Sequence, residues 1–583
     1  MLTFRRQGCS NLPAQPEVRR FLIRLRSPLP LAAFLTLAAA SCATNMALAQ
    51  KPAAQSSGET TTRNAQTDNR PERLEWFRDQ GLGLFIHWSI DSQLGLIISH
   101  SLAGSSHDYA SRFYSDLPKT FNPTSFDPDR LARLARLAGF RYMVFTTKHH
   151  NGFAMWDTAT TDFSITHTPY RADITQRLLT SFRAQGIATG LYFSPDDFHW
   201  LFQNGKPIQR LVPQVQPKAN PGLMQLDQQQ VTELMTRYGP IRVFFFDGEA
   251  TGLRDIVWRS QPDTVVTRGA LETPEQNVPG APLAGAWEAN MTLGTAWGDQ
   301  PTDDVLKPVD EVVRTLVHVR SRGGNLLLNV SPTAEGALPA AQEATIRTLG
   351  SWMFVNGEAI YSTRPWVVTN EGDLWFTRSK DGHSLYVIVD GAANTAGWRR
   401  GDRREFVLKT VRATSATRAS VLGQSDELVE YRPEIDARSR IEQKPDGLHV
   451  SVVRAQRMRD SDQWPLPTVI RLTDVAEAFT PPEVRTLPPR RQPDGTVQLR
   501  GEWTSNESST AAHGATFSFE VRDITGEDKQ SRLRGWSHLP SQPAPQPGAY
   551  TASFTPEPGH QYEVRSVLAH PLLTLYGPVV PLQ

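Results

Sequence analysis

Between residues 72 and 366 short apolar runs alternate with amphipathic ones. The apolar runs are Gly83–Trp88, Tyr142–Thr147, Ala188–Phe193, Arg242–Phe246, Thr264–Thr267 and Asn325–Asn329. Between them lie stretches with helical spacing, such as Pro128–Ala138 with leucines three apart, and Asp310–Arg320. Continuously apolar strands separated by helices predict a parallel sheet buried on both faces. Six or more such units over about 290 residues fit a TIM-like (β/α) barrel better than an open sheet. No glycine-rich phosphate loop follows any strand, which argues against a nucleotide-binding open sheet. After Trp366 the pattern becomes all-β. Leu374–Arg378, Ser384–Val389 and Phe406–Lys409 are separated by turn residues and predict a β-sandwich over 367–478. A proline-rich stretch, Thr480–Pro489, reads as a hinge into a last unit over 485–583. There, Ala515–Arg522 and Gln561–Leu568 alternate apolar and polar residues as half-buried strands do, which predicts an immunoglobulin- or fibronectin-like domain.

The first 71 residues differ from the rest. Arginines at 5, 6, 19, 20, 24 and 26 precede the apolar stretch Pro30–Ala40, and Ala47-Leu48-Ala49 offers a small-residue cleavage site. This predicts an export signal over 1–49, hence a periplasmic or extracellular protein, with a polar flexible linker over 50–71. Lipid attachment at Cys42 is the alternative route. The chain's only two cysteines, Cys9 and Cys42, both lie in this leader, so a mature chain would hold neither a disulfide nor a thiol nucleophile. With 61 basic and 60 acidic residues in 583, the net charge of +1 offers nothing to nucleic acid or an anionic membrane surface. A membrane span is not predicted.

In a parallel barrel, reacting groups sit where strands end. Arg242–Phe246 runs into Asp247. By period two Val243, Phe245 and Asp247 share a face, so Asp247 stands at the barrel mouth if the other two point inward. The bland alternative is a cap on the next helix. Lys148-His149-His150 follows the second run, and His87-Trp88 ends the first. Aromatics at the same ends (Trp88, Phe153, Trp156, Tyr192) add apolar faces, so imidazoles and rings together suit a small sugar. A metal reading of the histidines lacks a third ligand at recognisable spacing, and nothing calls for a cofactor.

Gly81–Ser89, Phe126–Asp129, Lys148–Asp157, Phe246–Gly248, Gly324–Pro332 and Val355–Pro365 together resemble the retaining α-L-fucosidases of glycoside hydrolase family 29. The likeness covers about 70 to 366 as separated motifs in order, and leaves the last 100 residues outside the family core. It implies an incomplete barrel and an exo-acting double displacement on a fucosylated oligosaccharide or glycoconjugate. Asp247 matches the nucleophile position. Glu275 and Glu288 both match positions used for the acid/base, Glu275 being favoured because a loop carboxyl can swing over the leaving group. The resemblance also implies that His87, Trp88, His149, His150, Tyr192 and Arg268 contact the sugar or the nucleophile. His107-Asp-Tyr109 stands where relatives often show Glu-Trp-Tyr, and Arg268 where Asn-Asp is usual, so linkage preference is not carried over. The rival readings are a carbohydrate-binding protein with little hydrolysis, an α-L-galactosidase, and a metal-dependent hydrolase using His149 and His150.

Overall fold

A computed structural model describes residues 68–582 apart from 211, 303, 506–513 and 526–534. The predicted export signal, Cys42 and all but the end of the predicted linker lie outside the described residues. Among the described residues no helix is long and apolar enough to cross a membrane.

Seven parallel strands form the first sheet: β1 (Leu82–Ile86), β2 (Tyr142–Lys148), β3 (Ala188–Phe193), β4 (Val243–Phe246), β5 (Val265–Val266), β6 (Glu288–Thr292) and β7 (Asn325–Val330). Their order is β5-β4-β3-β2-β1-β7-β6. The two end strands, β5 and β6, do not pair. Instead the chain between them runs beside β6 through isolated bridges, Glu272 to Trp287 and Glu275 to Asn290. The sheet is therefore an incomplete (β/α) barrel.

Alternation sorts each strand between two cores. Phe85, Tyr142, Val144, Tyr192, Val243, Phe245, Val265 and Leu327 fill the interior, with Leu74 and Phe77 of the helix Pro71–Arg78 closing the floor. Leu84, Met143, Phe145, Leu191, Phe244 and Leu328 face outward against the surrounding helices. Those helices start where the sequence supplies caps. Asp127 accepts from the Arg130 backbone N–H ahead of Pro128–Leu137, and Asp173 from that of Gln176 ahead of Ile174–Ala184. Strand β6 escapes the sequence pattern because its interior positions, Glu288, Asn290 and Thr292, are polar and fully or nearly buried. An apolar run is not what marks it.

Beyond the barrel two antiparallel sheets, one of six strands and one of three, enclose Trp366, Phe376, Trp398, Leu408 and Ile470. The far side of the larger sheet joins the barrel's outer core through Tyr386, Ile388 and Val469, and Trp352 donates to the Pro467 carbonyl at 2.8 Å. The last unit has its own core of Leu499, Trp503, Phe517, Phe519 and Leu568. The expected hinge is in part a strand: Glu483–Arg491 pairs antiparallel with Val497–Thr504. Its prolines fall between Leu487 and Arg490, where the register shifts, and the strand lies at a sheet edge. Those are the places where a missing N–H breaks no ladder.

Candidate active site

Asp247 follows β4 and extends its ladder by one residue, its N–H donating to the Phe193 carbonyl at 3.0 Å. Its side chain, 13% exposed, faces the open end of the barrel. The Tyr192 hydroxyl donates to Oδ2 at 2.8 Å, and His150 Nε2 lies 3.4 Å from the same oxygen. Oδ1 faces two guanidinium groups, Arg268 at 3.3 Å and Arg210 at 3.4 Å. Burial pushes this carboxyl up. The Arg210 charge, with that of Arg268, outweighs it and holds Asp247 well below the usual carboxylate range. At neutral pH it is an anion.

The imidazoles around it are neutral. Burial lowers His87 to about 3 and His150 to about 4, and it pushes His149 well below its ordinary value. His87 Nδ1 meets the Asn329 Oδ1 at 2.6 Å. An amide oxygen only accepts, so Nδ1 donates and Nε2 remains an acceptor for a hydroxyl. His149 stacks on the Tyr192 ring at 5.5 Å with 3° between planes, while Nδ1 reaches Ser99 Oγ at 2.6 Å. Ser99 is held in turn by the buried Asp91, whose Oδ2 accepts its N–H, and stands at φ 60, a conformation few non-glycine residues adopt. Lys148, just before the histidine pair, is buried between Asp227 (2.9 Å) and Asp197 (3.2 Å), which anchors the end of β2.

Glu275 and Glu288 occupy different surroundings. Arg268 joins Glu275 Oε2 at 2.8 Å with one nitrogen and Asp247 with the other, so one guanidinium holds both carboxylates at the mouth. Glu275 is 43% exposed and open to solvent. Glu288 is fully enclosed inside the barrel at the start of β6, where it accepts from the Tyr142 hydroxyl at 2.5 Å. Burial raises it to about 7. That value suits a general acid, but geometry comes before pKa: the acid must touch the leaving oxygen and then water.

Of the residues expected at the site, Asp247, His87, His149, His150, Tyr192, Arg268 and Glu275 converge. Trp88 does not. His87 turns inward, so its neighbour turns outward, and Trp88 packs against Phe126 and Phe121 in the outer core. Tyr192 donates its hydroxyl to Asp247 instead of standing free for a sugar hydroxyl. Arg210, Asp91, Ser99 and His100 were not legible as site residues. Arg210 reaches Asp247 from a loop after the helix Phe198–Gln203, steered by Asp196 at 2.6 Å, and no strand end or motif marks it. His100 stacks edge-on to His150 at 5.6 Å from a short turn. The third ligand missing from the metal reading exists in space, since ligand atoms of His149, His150 and Asp247 lie within 4.8 Å of one another. Two guanidinium groups on the same carboxylate make that spot hostile to a cation.

An anionic carboxylate at a barrel mouth, with a second carboxyl held beside it by a shared guanidinium and neutral imidazoles nearby, is the arrangement a glycoside hydrolase uses. Known proteins narrow the class. The sequence model of the alpha-L-fucosidase family matches residues 46–358, more than half of the chain, and the chain belongs to that family. Plasma alpha-L-fucosidase of Rattus norvegicus is 29% identical over 376 residues, covering 55% of this chain and 78% of the relative. Alpha-L-fucosidase isoenzyme 1 from Paenibacillus thiaminolyticus superposes with a TM-score of 0.56 at 27% identity, covering 69% of this chain and 98% of that one. A family 29 alpha-L-fucosidase from Bacteroides thetaiotaomicron, trapped as a covalent intermediate with 2-fluoro-fucosyl fluoride, shares the fold at 22% identity and a TM-score of 0.57, covering 72% and 99%.

Proposed function

We propose that this chain is an exported, exo-acting retaining enzyme that removes terminal α-L-fucose from oligosaccharides or glycoconjugates. The observation that carries the reading is the Arg268 guanidinium shared between Asp247 and Glu275, which sets an ionised carboxylate beside a solvent-facing one. A retaining pair needs carboxyl groups about 5–5.5 Å apart, within the reach of one bridging guanidinium. In the first step an Asp247 oxygen attacks the anomeric carbon as the glycosidic C–O bond breaks, and Glu275 gives its proton to the leaving oxygen. In the second, water loses a proton to Glu275 and attacks the same carbon, which frees Asp247. His87, His149 and His150 serve as neutral partners for the sugar hydroxyls. Tyr192 and the two arginines hold the nucleophile. Export rests on the arginine-rich, apolar leader with its Ala-x-Ala site.

The test is an aryl α-L-fucoside assay. Asp247→Ala is expected to abolish release, with added azide restoring turnover as a fucosyl azide; undiminished activity in the variant overturns the assignment. Glu275→Gln is expected to lose far more activity on a poor leaving group than on a good one, because an acidic leaving group needs no proton donor. If Glu288→Gln shows that contrast and Glu275→Gln does not, the acid/base role moves to Glu288.

A further inference from the structure

The opposite end of the barrel carries a cleft of about 520 Å³. Arg242 immediately precedes β4 and Asp247 immediately follows it, so a strand length, about 16 Å at 3.3 Å per residue, separates this cleft from the site. Arg73, Arg183 and Arg242 line it with Trp76 and Asp263. Arg183 is fixed by neutral acceptors: Thr189 Oγ1 at 3.2 Å and the carbonyls of Tyr238 and Pro240 at 2.6 and 2.9 Å. Arg73 donates to the Asp263 carbonyl at 3.0 Å and lies over the Trp76 ring at 4.2 Å. The Arg242 side chain makes no hydrogen bond among the described residues. Asp263, the sole carboxylate in the lining, is engaged by Arg70 at 2.9 Å. Both Arg73 and Arg183 are pushed below their ordinary values by burial and, after it, by the Arg242 charge. Three guanidinium groups thus line one cleft, where the Asp263 and Glu72 charges offset only part of the lowering at Arg73 and the lining holds no second carboxylate.

Planar forks arriving from three elements match a tetrahedral oxyanion, which offers acceptors in several directions. We propose that this cleft binds such an oxyanion, as free phosphate or as a sulfate or phosphate ester on a glycan, at a site separate from Asp247. Titration calorimetry of the full chain at matched ionic strength tests it, with inorganic phosphate and a dextran sulfate oligosaccharide as probes and unsulfated dextran as control. One saturable site is expected, weakened at least tenfold in Arg242→Gln and in Arg73→Gln, with aryl-fucoside hydrolysis unchanged in both. Sulfated oligosaccharide binding at least tenfold tighter than phosphate assigns an ester ligand; phosphate binding as tight or tighter assigns the free ion. Absence of saturable binding by either probe, or unchanged affinity in both folded variants, overturns the proposal.

Discussion

Glu288 shows how one residue's surroundings can separate proton affinity from catalytic reach. It is enclosed, and it accepts from the Tyr142 hydroxyl. Its folded value of about 7 exceeds the ordinary 4.5. Between those values the folded chain holds a proton that the unfolded chain has lost, so stability contributed by this group falls as pH rises from about 4.5 through about 7. Gln at 288 keeps an acceptor for Tyr142 and removes the titration. Glu288→Gln is therefore expected to gain stability relative to the parent by about 1.4 kcal/mol per pH unit across that window and to level off above it. Urea midpoints at pH 5 and pH 8 measure this; a difference independent of pH excludes the buried acid as its source. The same residue explains a limit of reading by sequence. Glu275 and Glu288 both match family positions, and nothing along the chain says that one is bridged to Asp247 while the other is sealed inside the barrel.

At the scale of elements, strands that end in a polar residue were readable and strands with polar interiors were not. Strand β4 is an apolar run that stops on Asp247, a pattern visible without coordinates. Strand β6 puts Glu288, Asn290 and Thr292 inside, so its signal is weak. The pairing of β1 with β2 depends on a glycine. Gly83 sits opposite Tyr142, and a Cβ there would meet the Tyr142 ring at 2.2 Å. The missing side chain lets the phenol lie across β1 and reach Glu288. Gly83→Ala is expected to cost about 1–3 kcal/mol by overpacking and to displace the phenol from Glu288. Chemical denaturation reads the first effect. An unchanged stability would mean the ring has another place to go.

Across the whole molecule, core sharing sets cooperativity. The barrel's outer core takes in Tyr386, Ile388, Leu422, Leu466 and Val469 from the sandwich, whereas the last unit encloses its own cluster around Trp503 and Phe517. Barrel and sandwich are expected to melt in one calorimetric transition and the last unit in another. Trp352→Phe, which removes the indole donor to Pro467, should lower the shared transition and leave the other in place. A single transition lowered as a whole would show that all three units are coupled.

Hydrophobic patterning by itself determined the parallel barrel, the all-β units after it and the placing of Asp247 at a strand end, because strand period and chain order are local properties. Folding decided the rest. Which carboxyl lies beside Asp247, that Arg210 arrives from a distant loop, that Trp88 turns away while His87 turns in, and that three arginines meet beneath the barrel all depend on closing a curved sheet. That closure sets distances between residues tens to hundreds of positions apart, and no local pattern encodes them.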